Sequence, residues 1–202
     1  MSKKQVFYII FFTVLVIGFF VTLSFVIPGF TQKKFPPISR VEPFAFTNQD
    51  GKTVTEKNIE GKVVAVNYFF TTCKSVCPKM NNNLKPVYEA FKKENNFLIL
   101  SHTCDPERDS VSQLKHYADS MKVDTNKWIF LTGRKDSLYL TARNSYQIDD
   151  PKNYVQNIAD DFMHTQFVAL VNKKGEVVHI YDGIKPSEMK AMTIEIKELL
   201  KE

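Results

Sequence analysis

The chain has 202 residues, enough for one ordinary domain and an appendage but too few for two full domains. Its 44% hydrophobic residues and only 7 glycines exclude a disordered or fibrous chain. The formal charge is +5, but 27 basic and 22 acidic residues are interspersed, and no run of like charges indicates a nucleic-acid-binding tail. We therefore expect one globular domain that binds no nucleic acid.

The amino terminus is the first predicted element. Residues 6–27 follow two lysines and contain no charged side chain. At about 1.5 Å per residue, a helix of this length spans a hydrocarbon core of about 30 Å. The run is longer than the apolar core of a signal peptide, and Pro28-Gly29-Phe30 follows it instead of a cleavage site. Residues 1–30 are therefore predicted to be an uncleaved membrane anchor.

The orientation of this anchor is not settled by charge. Lysines before the apolar run favour a cytoplasmic amino terminus, but Lys33, Lys34 and Arg40 follow the run. Residues 31–40 contain prolines and polar side chains and are predicted to be a linker. The amino terminus lacks the Arg- and Ser-rich stretch of a mitochondrial transit peptide, so we expect a bacterial inner membrane.

The remaining elements form a domain over residues 41–202. An Asp50-Gly51 turn predicts a hairpin over 44–54. The apolar runs 63–70 and 97–103 predict strands buried on both faces. Helices are predicted at 78–94, 110–121, 137–146 and 187–200, and further strands at 129–131, 167–172 and 176–181. This order predicts an α/β, thioredoxin-like fold: a mixed central sheet with helices on both faces and an amino-terminal hairpin.

Cys73 and Cys77 lie between the first buried strand and the next helix. Ligands and reactive groups in open α/β sheets gather at the carboxyl ends of strands, and a helix amino terminus favours thiolate. The pair can bind a soft ion such as Cu(I) or zinc, exchange with another disulfide, or form a structural disulfide. Thiol exchange in this fold usually uses two intervening residues, whereas three are present here.

A metal held by two thiolates needs a further ligand, and the chain contains four histidines. His164 precedes the strand predicted at 167–172, and its loop faces the cysteine loop in a thioredoxin-like fold, so it is the first candidate. His102 ends the second buried strand near the same rim and is the weaker candidate. His116 is predicted to be exposed on a helix, and His179 to be half-buried or exposed on a hairpin strand.

The second buried strand is followed by Cys104 and by Asp-Pro-Glu-Arg-Asp at 105–109. Cys104 is predicted to be a small buried hydrophobe; the alternative is a thiol close enough to the cysteine pair to exchange or bind metal. Pro106 ends the strand. Asp105 and Asp109 are predicted to accept backbone hydrogen bonds around the turn, in a structural role.

The sequence resembles the Sco/SenC family of copper-binding proteins. The resemblance covers nearly the whole domain through FFTTCKSVCPKM (69–80), SHTCDPERDS (101–110), KWIFLTG (127–133) and the histidine before FVALVNKKGEVV (167–178). It implies that Cys73, Cys77 and His164 bind copper. It also implies an amino-terminal anchor with a thioredoxin-like domain outside the cytoplasm, which in a bacterium is the periplasmic face.

The resemblance implies a copper chaperone that delivers copper to the dinuclear centre of cytochrome c oxidase during assembly. The expected partners are the copper-accepting oxidase subunit, a thiol–disulfide reductant and the membrane, and the protein is not expected to be an enzyme. The alternative is a membrane-anchored thiol–disulfide oxidoreductase that keeps the acceptor cysteines reduced. The lack of a proline just before Phe167 argues against it. A peroxidase would need proline and threonine at 66 and 70, where Val66 and Phe70 stand.

Two residues depart from the pattern of that family. Its members commonly have an acidic residue before the histidine, where this chain has Met163. Asp160 and Asp161 lie about one turn earlier and are the expected substitutes for orienting the imidazole. Cys104 occupies a position where the family usually has a small apolar residue.

Overall fold

The computed structural model describes residues 1–26, 36–150 and 161–202. The chain divides into two compact units, Met1–Pro36 and Pro37–Glu202. The first unit contains helix α1, Lys3–Val26, which by length and composition can cross a membrane. The predicted apolar helix is thus confirmed as a helix and begins three residues earlier than expected. Ile27 and half of the predicted linker lie outside the described residues.

The described part of the second unit is built on one sheet of eight strands. These are β1 Ser39–Arg40, β2 Ala45–Asn48, β3 Thr53–Thr55, β4 Val63–Phe69, β5 Phe97–Thr103, β6 Trp128–Thr132, β7 Phe167–Val171 and β8 Glu176–Asp182. Their order is β1-β8-β7-β4-β5-β6-β2-β3. The three strands β4, β5 and β6 are parallel, and the other pairings are antiparallel. The predicted mixed, thioredoxin-like sheet is confirmed, and β2–β3 is the predicted hairpin.

Helices cover both faces of this sheet, as predicted. The helices α2 (Val76–Phe91), α3 (Val111–Met121) and α5 (Pro186–Lys201) bury apolar side chains against one face. In α2 these recur every three or four residues, at Met80, Leu84, Val87 and Phe91, which is the spacing of one helix face. Because α2 begins two residues earlier than predicted, Cys77 lies within its first turn.

The other face carries a helix that differs from its prediction. Helix α4 spans Lys135–Leu140 and is followed by a turn of π-helix, Thr141–Ser145. A π turn contains more residues than an α turn, so inward positions no longer follow the 3.6-residue period on which the prediction depended. As a result Arg143, a residue type that is almost never fully buried unless paired, points into the interior.

The two central strands determine where the functional edge lies. All seven residues of β4 and all seven of β5 are buried. The strands are in register to their ends at Phe69 and Thr103, and the Cys104 N–H then donates to the Phe69 carbonyl at 2.7 Å. The loop after β4 and the turn after β5 therefore leave the sheet side by side at its carboxyl edge.

Candidate metal site

The cysteine loop begins at the end of β4. The Cys73 N–H donates to the Phe70 carbonyl at 3.1 Å, which turns the loop, and the Cys77 N–H donates to the Cys73 sulfur at 3.4 Å. Cys77 is buried and Cys73 is half-buried, and both are free thiols. The predicted placement of the pair between a buried strand and a helix amino terminus is what the structure shows.

The pKa values of the two thiols are shifted in opposite directions. Partial burial by itself raises the pKa of Cys73, but the Cys77 thiol and the N–H groups of residues 75–77 donate to its sulfur, and the pKa falls below its ordinary value. Burial, together with a smaller effect of its hydrogen bond to Cys73, raises the pKa of Cys77 to about 12. Cys73 is therefore the more acidic thiol of the pair, and Cys77 is the less acidic one.

Asp109 fixes the start of the cysteine loop. Its carboxylate accepts hydrogen bonds from the Thr71 N–H at 3.2 Å and from the hydroxyls of Thr71 and Thr103, each at 2.5 Å. This agrees with the predicted structural role of Asp109 and adds the hydroxyl donors. Asp105 accepts instead through its backbone carbonyl, from the N–H groups of Arg108 and Asp109, while its carboxylate lies 3.8 Å from the Arg108 guanidinium.

A cavity of about 410 Å³ opens beside this loop. Three thiols, one thioether and one imidazole line it: Cys73, Cys77, Cys104, Met163 and His164. The three residues predicted as metal ligands therefore share one cavity, and Cys104 shares it with them. Cys104 is also buried as predicted, with 2% of its surface exposed.

His164 lines this cavity, and its imidazole contacts Phe162 and Phe70. Its Nδ1 is 3.2 Å from the Phe162 carbonyl oxygen, and its ring packs against the rings of Phe162 and Phe70, at 4.5 and 5.8 Å between centroids. Within residues 1–26, 36–150 and 161–202, no three His, Cys, Asp or Glu side chains stand close enough together to hold a metal ion. Coordination by His164 thus requires its imidazole to turn toward the cysteines.

Asp161 does not replace the family's acidic residue beside this imidazole. Its carboxylate lies 2.8 Å from Nη1 of Arg143, an ion pair without an aligned hydrogen bond, and both side chains are almost fully buried. The Arg143 Nε donates to Asp149 at 2.8 Å. One guanidinium therefore joins residues on both sides of the segment 150–160. The other expected substitute, Asp160, lies outside the described residues.

Further contacts hold the chain around His164. The Met163 N–H donates to the Tyr139 hydroxyl at 3.3 Å, and the Thr165 hydroxyl donates to the Ile148 carbonyl at 2.8 Å. Sequence reasoning missed Tyr139 and Arg143. One signal was available for Arg143 in the sequence. This arginine directly follows the apolar positions Leu138, Tyr139 and Ala142 of one predicted helix.

The other histidines lie away from the cavity. His102 is fully buried among the rings of Phe44, Phe46, Tyr68 and Tyr146, and burial lowers its pKa to about 3. Neither of its ring nitrogens has a hydrogen-bond partner in the described part of the chain. The structure thus removes this weaker ligand candidate. His116 is exposed as predicted, and His179 is exposed and contacts Glu195 at 3.1 Å.

The donor set at the cavity fits a soft metal ion. Thiolate, thioether and imidazole are ligands that Cu(I) prefers, and zinc shares the preference for thiolate and imidazole. Adjacent thiols of opposite acidity also fit thiol–disulfide exchange. The geometry therefore supports two kinds of chemistry at the same pair of cysteines.

Comparison with known proteins identifies the family of this chain. The SCO1/SenC family model matches residues 33–201. The SCO1 protein homolog of Bacillus subtilis is 33% identical over 161 residues, which cover 78% of this chain and 81% of that protein. SCO1 homolog 1 of Arabidopsis thaliana, a mitochondrial protein, is 30% identical over 154 residues, 70% of this chain and 45% of that protein.

Solved structures show the same fold. BsSco, described as a member of the Sco family of cytochrome c oxidase assembly proteins and as having a disulfide switch, is 30% identical with a TM-score of 0.69. The match covers 84% of this chain and 99% of BsSco. Arabidopsis thaliana ScoI with copper bound is 27% identical with a TM-score of 0.63, over 79% of this chain and 99% of that one.

Proposed function

This chain belongs to the SCO1/SenC family, and from that membership and its cavity we propose that it is a copper chaperone for the assembly of cytochrome c oxidase. The observation that carries the proposal is the shared cavity of Cys73, Cys77 and His164 at the carboxyl ends of the central strands. Copper is the cargo, and on this proposal the protein is not an enzyme. The copper-bound Arabidopsis relative and the oxidase-assembly relative BsSco support it.

Each residue has a distinct part in holding the ion. Cys73, whose pKa is lowered, offers a thiolate to Cu(I) first. Cys77 releases its proton as it binds, because a metal ligand must be deprotonated. His164 then turns from the Phe162 carbonyl and completes a set of three ligands. So few ligands at an open cavity can be exchanged one at a time with those of an acceptor.

The anchor places donor and acceptor in the same membrane. Helix α1 has the length and composition to cross it, and tethering raises the effective concentration of the two partners. We place the domain on the periplasmic face of a bacterial inner membrane. A cysteine pair that alternates between disulfide and metal-bound dithiol suits a compartment without a reducing glutathione pool.

The acidities of the pair favour a second candidate function, a thiol–disulfide oxidoreductase. The Cys73 thiolate would attack an acceptor disulfide, and Cys77 would then displace the acceptor thiol from the mixed disulfide. The acceptor gains two electrons as a dithiol, and the Cys73–Cys77 disulfide remains until a dithiol reductant restores it. The disulfide switch of BsSco supports this candidate.

Full-length protein in detergent, reduced and given Cu(I), tests the main proposal by metal analysis after exposure to a chelator. The wild type should retain copper, and the Cys73→Ser/Cys77→Ser variant should not. In cells, His164→Ala should lower the copper content of the oxidase while the Cys73–Cys77 disulfide still forms. His116→Ala, which removes an exposed histidine far from the cavity, is the matched control. Full oxidase copper with His164→Ala would favour the oxidoreductase.

A further inference from the structure

Cys104 and Met163 line the same cavity as the three predicted ligands. They are far apart in sequence. Both are nearly fully buried, with 2% and 3% of their surfaces exposed. Both carry sulfur, so four sulfur-containing side chains line this cavity.

One hydroxyl holds these two residues side by side. The Tyr139 hydroxyl donates to the Cys104 carbonyl at 2.7 Å and accepts from the Met163 N–H at 3.3 Å. The Tyr139 ring is itself buried and is packed against the guanidinium of Arg143, 5.6 Å from the ring centroid. The end of β5 and the segment before His164 are thereby joined at the inner wall of the cavity.

The remaining predicted ligands differ in how deeply they lie in the cavity. His164 is exposed, its imidazole packs against the Phe162 ring, and its Nδ1 is within hydrogen-bond distance of the Phe162 carbonyl oxygen. Of the two cysteines in the loop, Cys77 is the buried one. Cys77 lines the cavity together with Cys104 and Met163.

We propose that Cys104 and Met163 form an inner sulfur pair that, with Cys77, gives Cu(I) a second binding position in this cavity. The inference rests on the proposed function and deepens it. Thiolate and thioether sulfurs are the ligands that Cu(I) selects. The inner position holds the ion away from solvent, and the set of Cys73, Cys77 and His164 presents it to the acceptor.

Movement between the two positions is an exchange of ligands without a change of oxidation state. Going inward, Cu(I) forms bonds to the sulfurs of Cys104 and Met163 and gives up those to Cys73 and His164. The Cys104 proton leaves to water through the open cavity, and Cys73 can take one up. The Cys77 bond is kept throughout, so Cys77 is needed in both positions and Cys73 in only one.

The test uses reduced full-length protein in detergent with one equivalent of Cu(I), measured by chelator competition and copper X-ray absorption. His164→Ala should keep Cu(I) in an all-sulfur shell of three. His164→Ala/Cys104→Ala/Met163→Leu should bind about 10–100-fold more weakly than His164→Ala and show two sulfurs. Met163→Leu conserves volume, and circular dichroism checks the fold. His164→Ala/Met192→Leu, which changes a buried methionine of α5 instead, is the matched control.

The outcomes separate this inference from the proposed function. Equal affinity and equal sulfur shells in His164→Ala and the triple variant would overturn the inner pair and leave the chaperone proposal standing. Loss of copper from His164→Ala as complete as from Cys77→Ser would also overturn it. Weak binding by Cys73→Ser together with none by Cys77→Ser would support it. A wild type that retains no Cu(I) would overturn both proposals.

Discussion

The guanidinium of Arg143 lies 2.8 Å from the carboxylate of Asp161, and both side chains are almost fully buried. Asp161 begins the described segment that carries Met163 and His164, and Asp149, the second partner of Arg143, lies on the other side of residues 150–160. The ion pair therefore ties the segment that carries the proposed ligand His164 to the π turn after α4. Arg143 pairs with Asp149 and Asp161, and we expect it to affect copper binding by holding the segment of His164 in place.

Replacing this cation should weaken both the fold and copper binding. Arg143→Met removes the cation that pairs with Asp149 and Asp161, and breaking a buried pair costs about 3–5 kcal/mol of the free energy of unfolding. Arg143→Lys keeps the charge and should recover part of the loss. Urea unfolding measures the stability, and chelator competition measures the Cu(I) affinity.

A double-mutant comparison separates positioning from general destabilisation. Because Arg143 acts through the segment of Met163 and His164, Arg143→Met should not change Cu(I) affinity further in a His164→Ala/Met163→Leu background. Its effect on the free energy of unfolding should persist there. An equal loss of affinity in both backgrounds would contradict the positioning role.

The reactivity of Cys73 should depend on the side chain at position 77. The thiolate fraction rises with pH, and a lowered pKa moves that rise to lower pH. Alkylation of Cys73 should therefore reach half its maximal rate below the pH of an ordinary cysteine. Cys77→Ala removes a hydrogen-bond donor to the Cys73 sulfur and should move the midpoint upward.

Cys77→Ser is the matched control, because its hydroxyl can still donate to Cys73 and should keep the midpoint near that of the wild type. Rates of iodoacetamide modification across a pH series, with the labelled cysteine identified by mass spectrometry, measure the effect. Identical midpoints in the wild type and Cys77→Ala would refute the role of the Cys77 thiol.

Asp109 should matter for the cysteine loop although it lies outside the cavity lining. Asp109→Ala leaves the hydroxyls of Thr71 and Thr103 without this acceptor, at a cost of about 1–3 kcal/mol for the buried Thr103 hydroxyl and less for the half-buried Thr71. We expect a lower free energy of unfolding and faster hydrogen exchange at the Thr71 and Cys73 amides. Asp119→Ala, at an exposed position of α3, should change neither measurement.

The proposed orientation predicts that the domain is accessible from outside. A reporter that is active only outside the cytoplasm, fused after Glu202, should be active, and protease added to spheroplasts should digest the domain. Digestion only after lysis would place the domain in the cytoplasm, where thiols are kept reduced, and would remove much of the support for the chaperone.

The fold could be predicted well because each strand and helix has its own characteristic pattern of apolar residues in the sequence. The runs 63–70 and 97–103 are mostly apolar with little alternation, which is the pattern of strands buried on both faces. The exception is the helix predicted over 137–146, which ends in a π turn. The 3.6-residue period does not predict that turn, and the partner of its inward Arg143, Asp161, lies far along the chain.

The candidate site, like the fold, could be predicted only in part from the sequence. The residue types and order alone identified Cys73, Cys77 and His164 as the candidate ligands and the sheet edge where they gather. Only the tertiary structure decided that His164 rests against Phe162, that His102 is enclosed by aromatic rings, and that Asp161 belongs to Arg143. Local sequence carries donor chemistry and strand pattern, whereas orientation and burial depend on contacts between segments far apart in the chain. For the same reason, only the tertiary structure shows that Cys104 and Met163 both hydrogen-bond through their backbones to the Tyr139 hydroxyl.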